Sequence, residues 1–212
     1  MTHPRFFGYG SLVNLATHDY PDPQPATLQG WRRVWCQAKA RPVAFLSIAP
    51  FEATIHGITA QVPNADWAAL DLREHAYLRR DVSDQFDAQT AVYEANPAHT
   101  APPSTGHPIL LSYLDVVIAG FAALMPDGPD HFFETTTGWG PVLDDRADPL
   151  YPRAQHLSVA TAATVDAHLA ALAVPVQPAE NARLLVNAIR SARVPTAVPH
   201  DAQGQPHGNT GE

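Results

Sequence analysis

The chain has 212 residues, room for one larger domain or for a core of roughly 130 to 150 residues with an appendage, and its hydrophobic fraction of 45% is that of an ordinary globular protein. Twenty-one acidic against 13 basic residues give a formal charge of −8, with Lys39 the only lysine and arginines scattered in pairs such as Arg32-Arg33 and Arg79-Arg80, which argues against a nucleic-acid partner. No run approaches the roughly 18 to 20 apolar residues of a membrane span, no signal-peptide pattern opens the chain, and the lone Cys36 cannot form an intrachain disulfide, so the expected compartment is the cytoplasm, with no membrane partner.

Phe6-Phe7-Gly8-Tyr9-Gly10-Ser11-Leu12 is an apolar run that breaks into Gly-Tyr-Gly-Ser, a strand delivering its C-terminal end into a loop whose backbone can approach a ligand closely. A dinucleotide turn would need a third glycine at Val13 and a long helix, and the prolines at 21, 23 and 25 leave no room for one. Ala26 to Ala40 alternates as a long strand, within which Cys36 reads as a packed cysteine and not as a nucleophile. Val43–Ile48 and Thr54–Val62 read as two further strands, broken by the turn-like Ala49-Pro50-Phe51-Glu52.

Pro63-Asn64 ends the strands, and Asn64 is the expected N-cap of a helix through Ala65–Glu74. Strands are expected at Arg80–Phe86 and Thr90–Glu94, then an irregular connection over Asn96–Pro108 and a helix over Ile109–Met125, closed by Pro126-Asp127-Gly128-Pro129. A short helix near Asp130–Thr137 is followed by turns over Gly138–Ala154. Two Ala-rich helices, about Ala160–Ala173 and Ala179–Ser191, precede a Pro, Gly, Gln and His tail from Val194.

On the helix before Glu74, residues Trp67, Leu70, Asp71 and Glu74 stand at i, i+3, i+4 and i+7, so the stripe that packs Trp67 and Leu70 also turns Glu74 inward. Burial disfavours the charged form of a carboxyl and suits it to acid and base work near neutral pH. The alternative from spacing alone is a helix end where Glu74 pairs with Arg73, Arg79 or Arg80. The Asp144-Asp145-Arg146-Ala147-Asp148 run lacks the glycine and closing glutamate of a calcium loop and reads as a solvated turn in which Arg146 pairs with an aspartate. The 11 histidines show no zinc spacing, so no metal site is expected.

Tyr-Gly-Ser-Leu at 9–12, Gly30-Trp31-Arg32-Arg33, Arg73-Glu74-His75-Ala76-Tyr77-Leu78-Arg79-Arg80-Asp81-Val82 and the Tyr113-Leu114 to Gly120 segment resemble, in order and spacing, the gamma-glutamylcyclotransferase-like superfamily over about residues 5–125. The resemblance implies an α+β fold, a small mixed β-barrel with flanking helices. It places a domain over 1–127; the resemblance does not cover the rest, which reads from its own pattern as a helical extension at 128–193 packed on that domain, open as a lid, a dimer contact or simple packing, and a flexible tail at 194–212.

The implied activity is cleavage of a gamma-glutamyl amide by intramolecular cyclisation, releasing 5-oxoproline and an amine, without metal or cofactor. Its catalytic glutamate maps onto Glu74, its substrate loop onto Tyr9, Gly10, Ser11 and Leu12, and a substrate-side tyrosine onto Tyr113. Residues 39–51 lack elements of the glutathione-degrading branch, which leaves gamma-glutamyl amines, gamma-glutamyl amino acids and glutathione open as the small-molecule partner. A homodimer is also open. The rival reading is a non-catalytic member of the same fold that binds a metabolite or a partner.

Overall fold

The alternation of the first sixty residues becomes strand pairing in the computed structural model, which describes residues 3–39, 41–96, 98, 100, 101, 104 and 106–192. Strand β1 (Arg5–Gly8) lies between β3 (Ala44–Gln61), to which it is antiparallel, and β5 (Thr90–Ala95), to which it is parallel. Neighbouring residues of a strand point to opposite faces. Phe7 therefore enters the main core, while Phe6 enters a smaller one with Leu70 and Tyr93.

Strand β2 (Gln24–Ala38) runs antiparallel along β3 for nearly its whole length. The break expected at Ala49–Glu52 does not occur, because Phe51, Glu52 and Ala53 bulge opposite the single residue Gly30. A bulge accommodates the missing amide of Pro50, so β3 continues through it.

The first helix also starts later than expected. Pro63–Ala65 forms a 3₁₀ turn with Asn64 and Ala65 at positive φ, and Asp66 caps α1 (Trp67–Arg73) by accepting from the Ala68 and Ala69 amides. Strand β4 spans Tyr77–Asp81, ahead of the expected Arg80–Phe86, since the Asp81 side chain accepts from Ser83 and turns the chain into a 3₁₀ segment at Ser83–Gln85. Within the irregular connection that follows, β6 (Thr100–Ala101) pairs with the end of β2.

The strong helical pattern becomes α2 (Leu111–Leu124), buried on most of its faces, while Ile109–Leu110 forms β7. Then come α3 (Gly128–Glu134), β8 (Thr136–Thr137) beside β2, β9 (Val142–Asp144), α4 (Val159–Ala171), β10 (Val176–Pro178), a 3₁₀ turn at Ala179–Ala182 and α5 (Arg183–Ser191).

The main sheet has the order β4-β5-β1-β3-β2-β6 with β8 off β2, and a second, parallel sheet has the order β10-β9-β7. The fold is thus mixed α+β with flanking helices. Among the described residues no ladder joins β4 to β6, so the sheet is not closed and the expected barrel is met only in this coarser form. The expected tail at 194–212 lies outside the described residues. No helix among them is long and apolar enough to cross a membrane.

The aspartate run is not the solvated turn that its composition suggests. Asp145 is buried and accepts from the Ser112 amide (2.8 Å), the Ser112 hydroxyl (2.6 Å) and the Leu150 amide (2.8 Å). Arg146 bridges Asp115 of α2 and Asp166 of α4. The run fastens the C-terminal half to the start of α2, and a buried carboxylate that accepts three hydrogen bonds keeps its charge satisfied.

Candidate active site

The Gly-Tyr-Gly-Ser loop is held from several sides. The Val13 amide donates to the Gly10 carbonyl and the Asn14 amide to the Ser11 carbonyl, while the Asn14 side-chain amide donates to Val116 of α2 at 2.9 Å. Beneath the loop, the fully buried Arg33 guanidinium donates to the Tyr9 carbonyl (2.9 Å), the Thr135 hydroxyl (2.6 Å) and the His56 carbonyl, and lies over the rings of Phe121 and Phe132. Burial pushes it down to about 9, against the ordinary preference of an arginine to stay charged. In the sequence Arg33 stands in an alternating strand and in the Gly30-Trp31-Arg32-Arg33 motif, with no role attached; its place under the loop depends on pairings far apart in sequence.

Of the loop residues singled out from the sequence, Tyr9 is turned into the core, where its hydroxyl donates to the Tyr93 carbonyl at 2.6 Å. Gly10 lies so close to Tyr113 that a Cβ there would stand 2.9 Å from the Tyr113 hydroxyl, so a side chain at this position displaces the tyrosine. Tyr113 and Ser11 line the same two cavities. Leu12 packs at the edge of the smaller core, and its carbonyl meets a ring nitrogen of His18 at 2.8 Å.

Glu74 ends α1. Its amide donates to Leu70, its carbonyl accepts from Tyr77, and its carboxylate meets Arg73 Nε at 3.1 Å with the side chain 19% exposed. Of the pairings open from spacing, Arg73 is the one made. Arg79 goes to Asp71 and Arg80 to Glu94. Burial raises the Glu74 carboxyl above the ordinary carboxylate value, while the charges of Arg73 and Arg153 pull it back down.

Two cavities, of about 270 Å³ and 60 Å³, share Ser11, Glu74, Tyr77 and Tyr113 as walls. The smaller is bounded by the whole loop from Gly8 to Leu12, and the larger is bounded also by Arg41, Arg73, Tyr151 and Arg153. The inward carboxylate and the loop therefore face a common space, bringing together Ser11, Glu74 and Tyr113 from three separate parts of the chain. Burial raises the phenols of Tyr77 and Tyr113, so both stay protonated and serve as hydrogen-bond groups. The Tyr77 hydroxyl donates to the Leu46 carbonyl, and Tyr113 stands edge-on between Trp35 and Tyr151.

Arg41, Tyr151 and Arg153 had no signal in the sequence, because each lies on a connection that only the tertiary fold brings to the cavity. The arrangement joins one proton-accepting carboxyl, a loop with amides and a hydroxyl, and a cationic border. It suits an anionic molecule with a proton to give up.

No family model matches the chain, and no curated protein is significantly similar to it. Solved structures that are alike include YkqA from Bacillus subtilis (17% identity, TM-score 0.47, 65% of this chain and 56% of that one) and an uncharacterised human protein (14%, 0.41, 57% and 79%). A gamma-glutamyl cyclotransferase specific to glutathione from yeast is also alike (16%, 0.36, 63% of this chain and 85% of that one). The matched region spans little more than half of YkqA's own length. With TM-scores below 0.5, these likenesses carry no inference about activity.

Proposed function

We propose that the chain is a gamma-glutamylcyclotransferase-type enzyme, cleaving a gamma-glutamyl amide by attack of the substrate's own α-amine. The observation that carries this reading is the pairing of Glu74, a carboxyl raised by burial, with the Gly10-Ser11 loop and Tyr113 around a common cavity. The resemblance over residues 5–125 supplies the chemistry, and the residues suit it.

Glu74 takes a proton from the α-ammonium, and the freed amine attacks the gamma-carbonyl carbon. A new C–N bond closes the five-membered ring as the original amide C–N bond breaks; the proton held by Glu74 passes to the departing nitrogen, and the second proton of the ring nitrogen follows through the same carboxylate, so that the amine departs as an ammonium and the ring keeps one N–H. The products are 5-oxoproline and an amine, and no water is consumed. Loop amides from Gly10 to Leu12, with the Ser11 hydroxyl and Tyr113, hold the glutamyl carboxylate or the carbonyl oxygen as charge develops on it. Tyr9 braces the loop from below, and Gly10 keeps it thin enough for Tyr113 to approach.

Ring closure is intramolecular, so holding the bent conformer can supply up to about 7 to 11 kcal/mol in favourable cases. In this reading residues 1–127 form the catalytic unit and 128–193 an extension that walls the larger cavity through Leu150–Arg153 and Ile189. The lone cysteine fits a cytoplasmic setting. Incubation with a panel of gamma-glutamyl compounds and detection of 5-oxoproline tests the proposal. Binding without release of 5-oxoproline from any of them favours the non-catalytic reading instead.

A further inference from the structure

Among the described residues, three guanidiniums border the larger cavity and Glu74 is the only carboxylate that lines it. Arg73 is committed to Glu74. Arg41, from the connection between β2 and β3, and Arg153, from the turn after β9, make no ion pair among the described residues. Several arginines elsewhere are matched to acids, Arg5 to Asp22, Arg79 to Asp71, Arg80 to Glu94 and Arg146 to Asp115, and the buried Arg33 is met by carbonyls and a hydroxyl. Arg153 acts on Glu74 through its charge alone, without contact, and in a chain with 21 acidic and 13 basic residues two guanidiniums that touch no carboxylate among the described residues around one cavity call for an anion.

The two cavities also differ in kind. The smaller one is bounded by the loop and tyrosines, with no arginine among the described residues of its lining, whereas the larger one adds Leu110, Leu150 and Ile189 to the cations. Glu74 stands at their shared wall, which places the scissile amide there, the glutamyl half toward the loop and the departing half among Arg41, Arg153 and the apolar side chains. A departing alkylamine would meet the apolar wall alone. A departing amino acid offers that wall a side chain and the arginines a carboxylate.

We propose that Arg41 and Arg153 hold a carboxylate on the departing half of the substrate, so that the chain acts on gamma-glutamyl amino acids and peptides in preference to gamma-glutamyl alkylamides. This rests on the cyclotransferase reading above. It assigns a specificity role to residue 153, which lies beyond the part of the chain that the resemblance covers.

Gamma-glutamylalanine and gamma-glutamylethylamide differ by one carboxylate on the departing half and are otherwise matched. With 5-oxoproline release as the readout, the wild-type chain is expected to favour the dipeptide in kcat/KM by about tenfold or more, the scale of one charge-assisted pair. In the R41Q/R153Q double variant the ratio falls toward one, and in R41K/R153K part of it survives because the charge is kept. Circular dichroism and a thermal melt show that the variants are folded.

A wild-type ratio near one, with both compounds turned over, overturns carboxylate recognition while leaving the cyclotransferase reading in place. An equal fall on both compounds in the double variant assigns the arginines to the glutamyl half and also overturns the proposal. No 5-oxoproline from either compound overturns the underlying reading, and this one with it.

Discussion

Replacing Gly120 by alanine probes the contact that carries the loop on α2. A Cβ built there would stand 2.6 Å from the Asn14 amide nitrogen, 2.7 Å from Asn14 Cα and 2.8 Å from the Val13 carbonyl carbon, all backbone atoms that cannot rotate away. Ordinary contact begins near 3.4 Å, so the loop must withdraw by about 0.8 Å. Overpacking of this kind costs about 1 to 3 kcal/mol, and the better helix propensity of alanine returns up to about 1 kcal/mol. A net loss of about 1 to 2 kcal/mol lowers Tm by about 2 to 8 °C in a chain of this size.

The displacement also reaches the site, because the Asn14 amide donates to the Ser11 carbonyl. A shift of that size at a positioning group can cost up to about a hundredfold in rate. Val165→Ala, which opens a small cavity under α4, serves as a control that loses comparable stability without touching the loop. The expected result is that Gly120→Ala loses both stability and kcat/KM on a gamma-glutamyl substrate, whereas Val165→Ala loses stability alone. A Gly120→Ala protein that melts at or above the wild-type temperature with unchanged kcat/KM refutes the reasoning.

Glu74 works as a base only when deprotonated, so kcat/KM should rise with pH along an acid limb lying above the ordinary carboxyl value of about 4.3; a limb at or below it contradicts the burial of this group. A carboxyl raised in the folded state contributes stability below its unfolded value and loses that contribution as pH rises through the folded one. Glu74→Gln should therefore melt above wild type at about pH 7, with the gain vanishing near about pH 4, and a lower melt at neutral pH reverses the sign. Tyr113→Phe removes the hydroxyl that lies against Gly10 and should lower kcat/KM by about tenfold with little change in Tm; a stability loss with unchanged kinetics would make that hydroxyl structural only. Asp145→Ala strands the Ser112 and Leu150 amides and the Ser112 hydroxyl, for a loss of about 3 kcal/mol or more in urea unfolding, and a change under about 1 kcal/mol contradicts its role as the fastener of the C-terminal half.

The parts of the molecule legible in the sequence are those set by local periodicity. The stripe Trp67-Leu70-Glu74 turned the carboxylate inward, and the apolar run ending in glycines delivered its loop to the end of β1, because both depend on spacing within one element. Boundaries failed where a neighbouring strand overrode a local signal. Pro50 reads as a break until β2 supplies a partner across the bulge, and Asn64 reads as the cap until its positive φ passes that task to Asp66.

Arg33, Arg41 and Arg153 could not be found in this way. Their surroundings are made by residues a hundred positions away and more, such as Thr135 for Arg33 and Ser11 for Arg153. The aspartate run misled for the same reason. Its composition is that of an exposed turn, but the Ser112 amide at the start of α2 and the Leu150 amide need an acceptor, and Asp145 supplies it.

The central claim is that Glu74 moves the proton while the loop holds the substrate. It is tested most directly by measuring 5-oxoproline release from a gamma-glutamyl substrate by wild type and Glu74→Gln, alongside binding of the same compound to each. The account expects release from wild type, near-unchanged binding by the variant and turnover below a tenth of wild type. A folded Glu74→Gln protein that keeps more than a tenth of the activity, or a wild type that releases none, contradicts it.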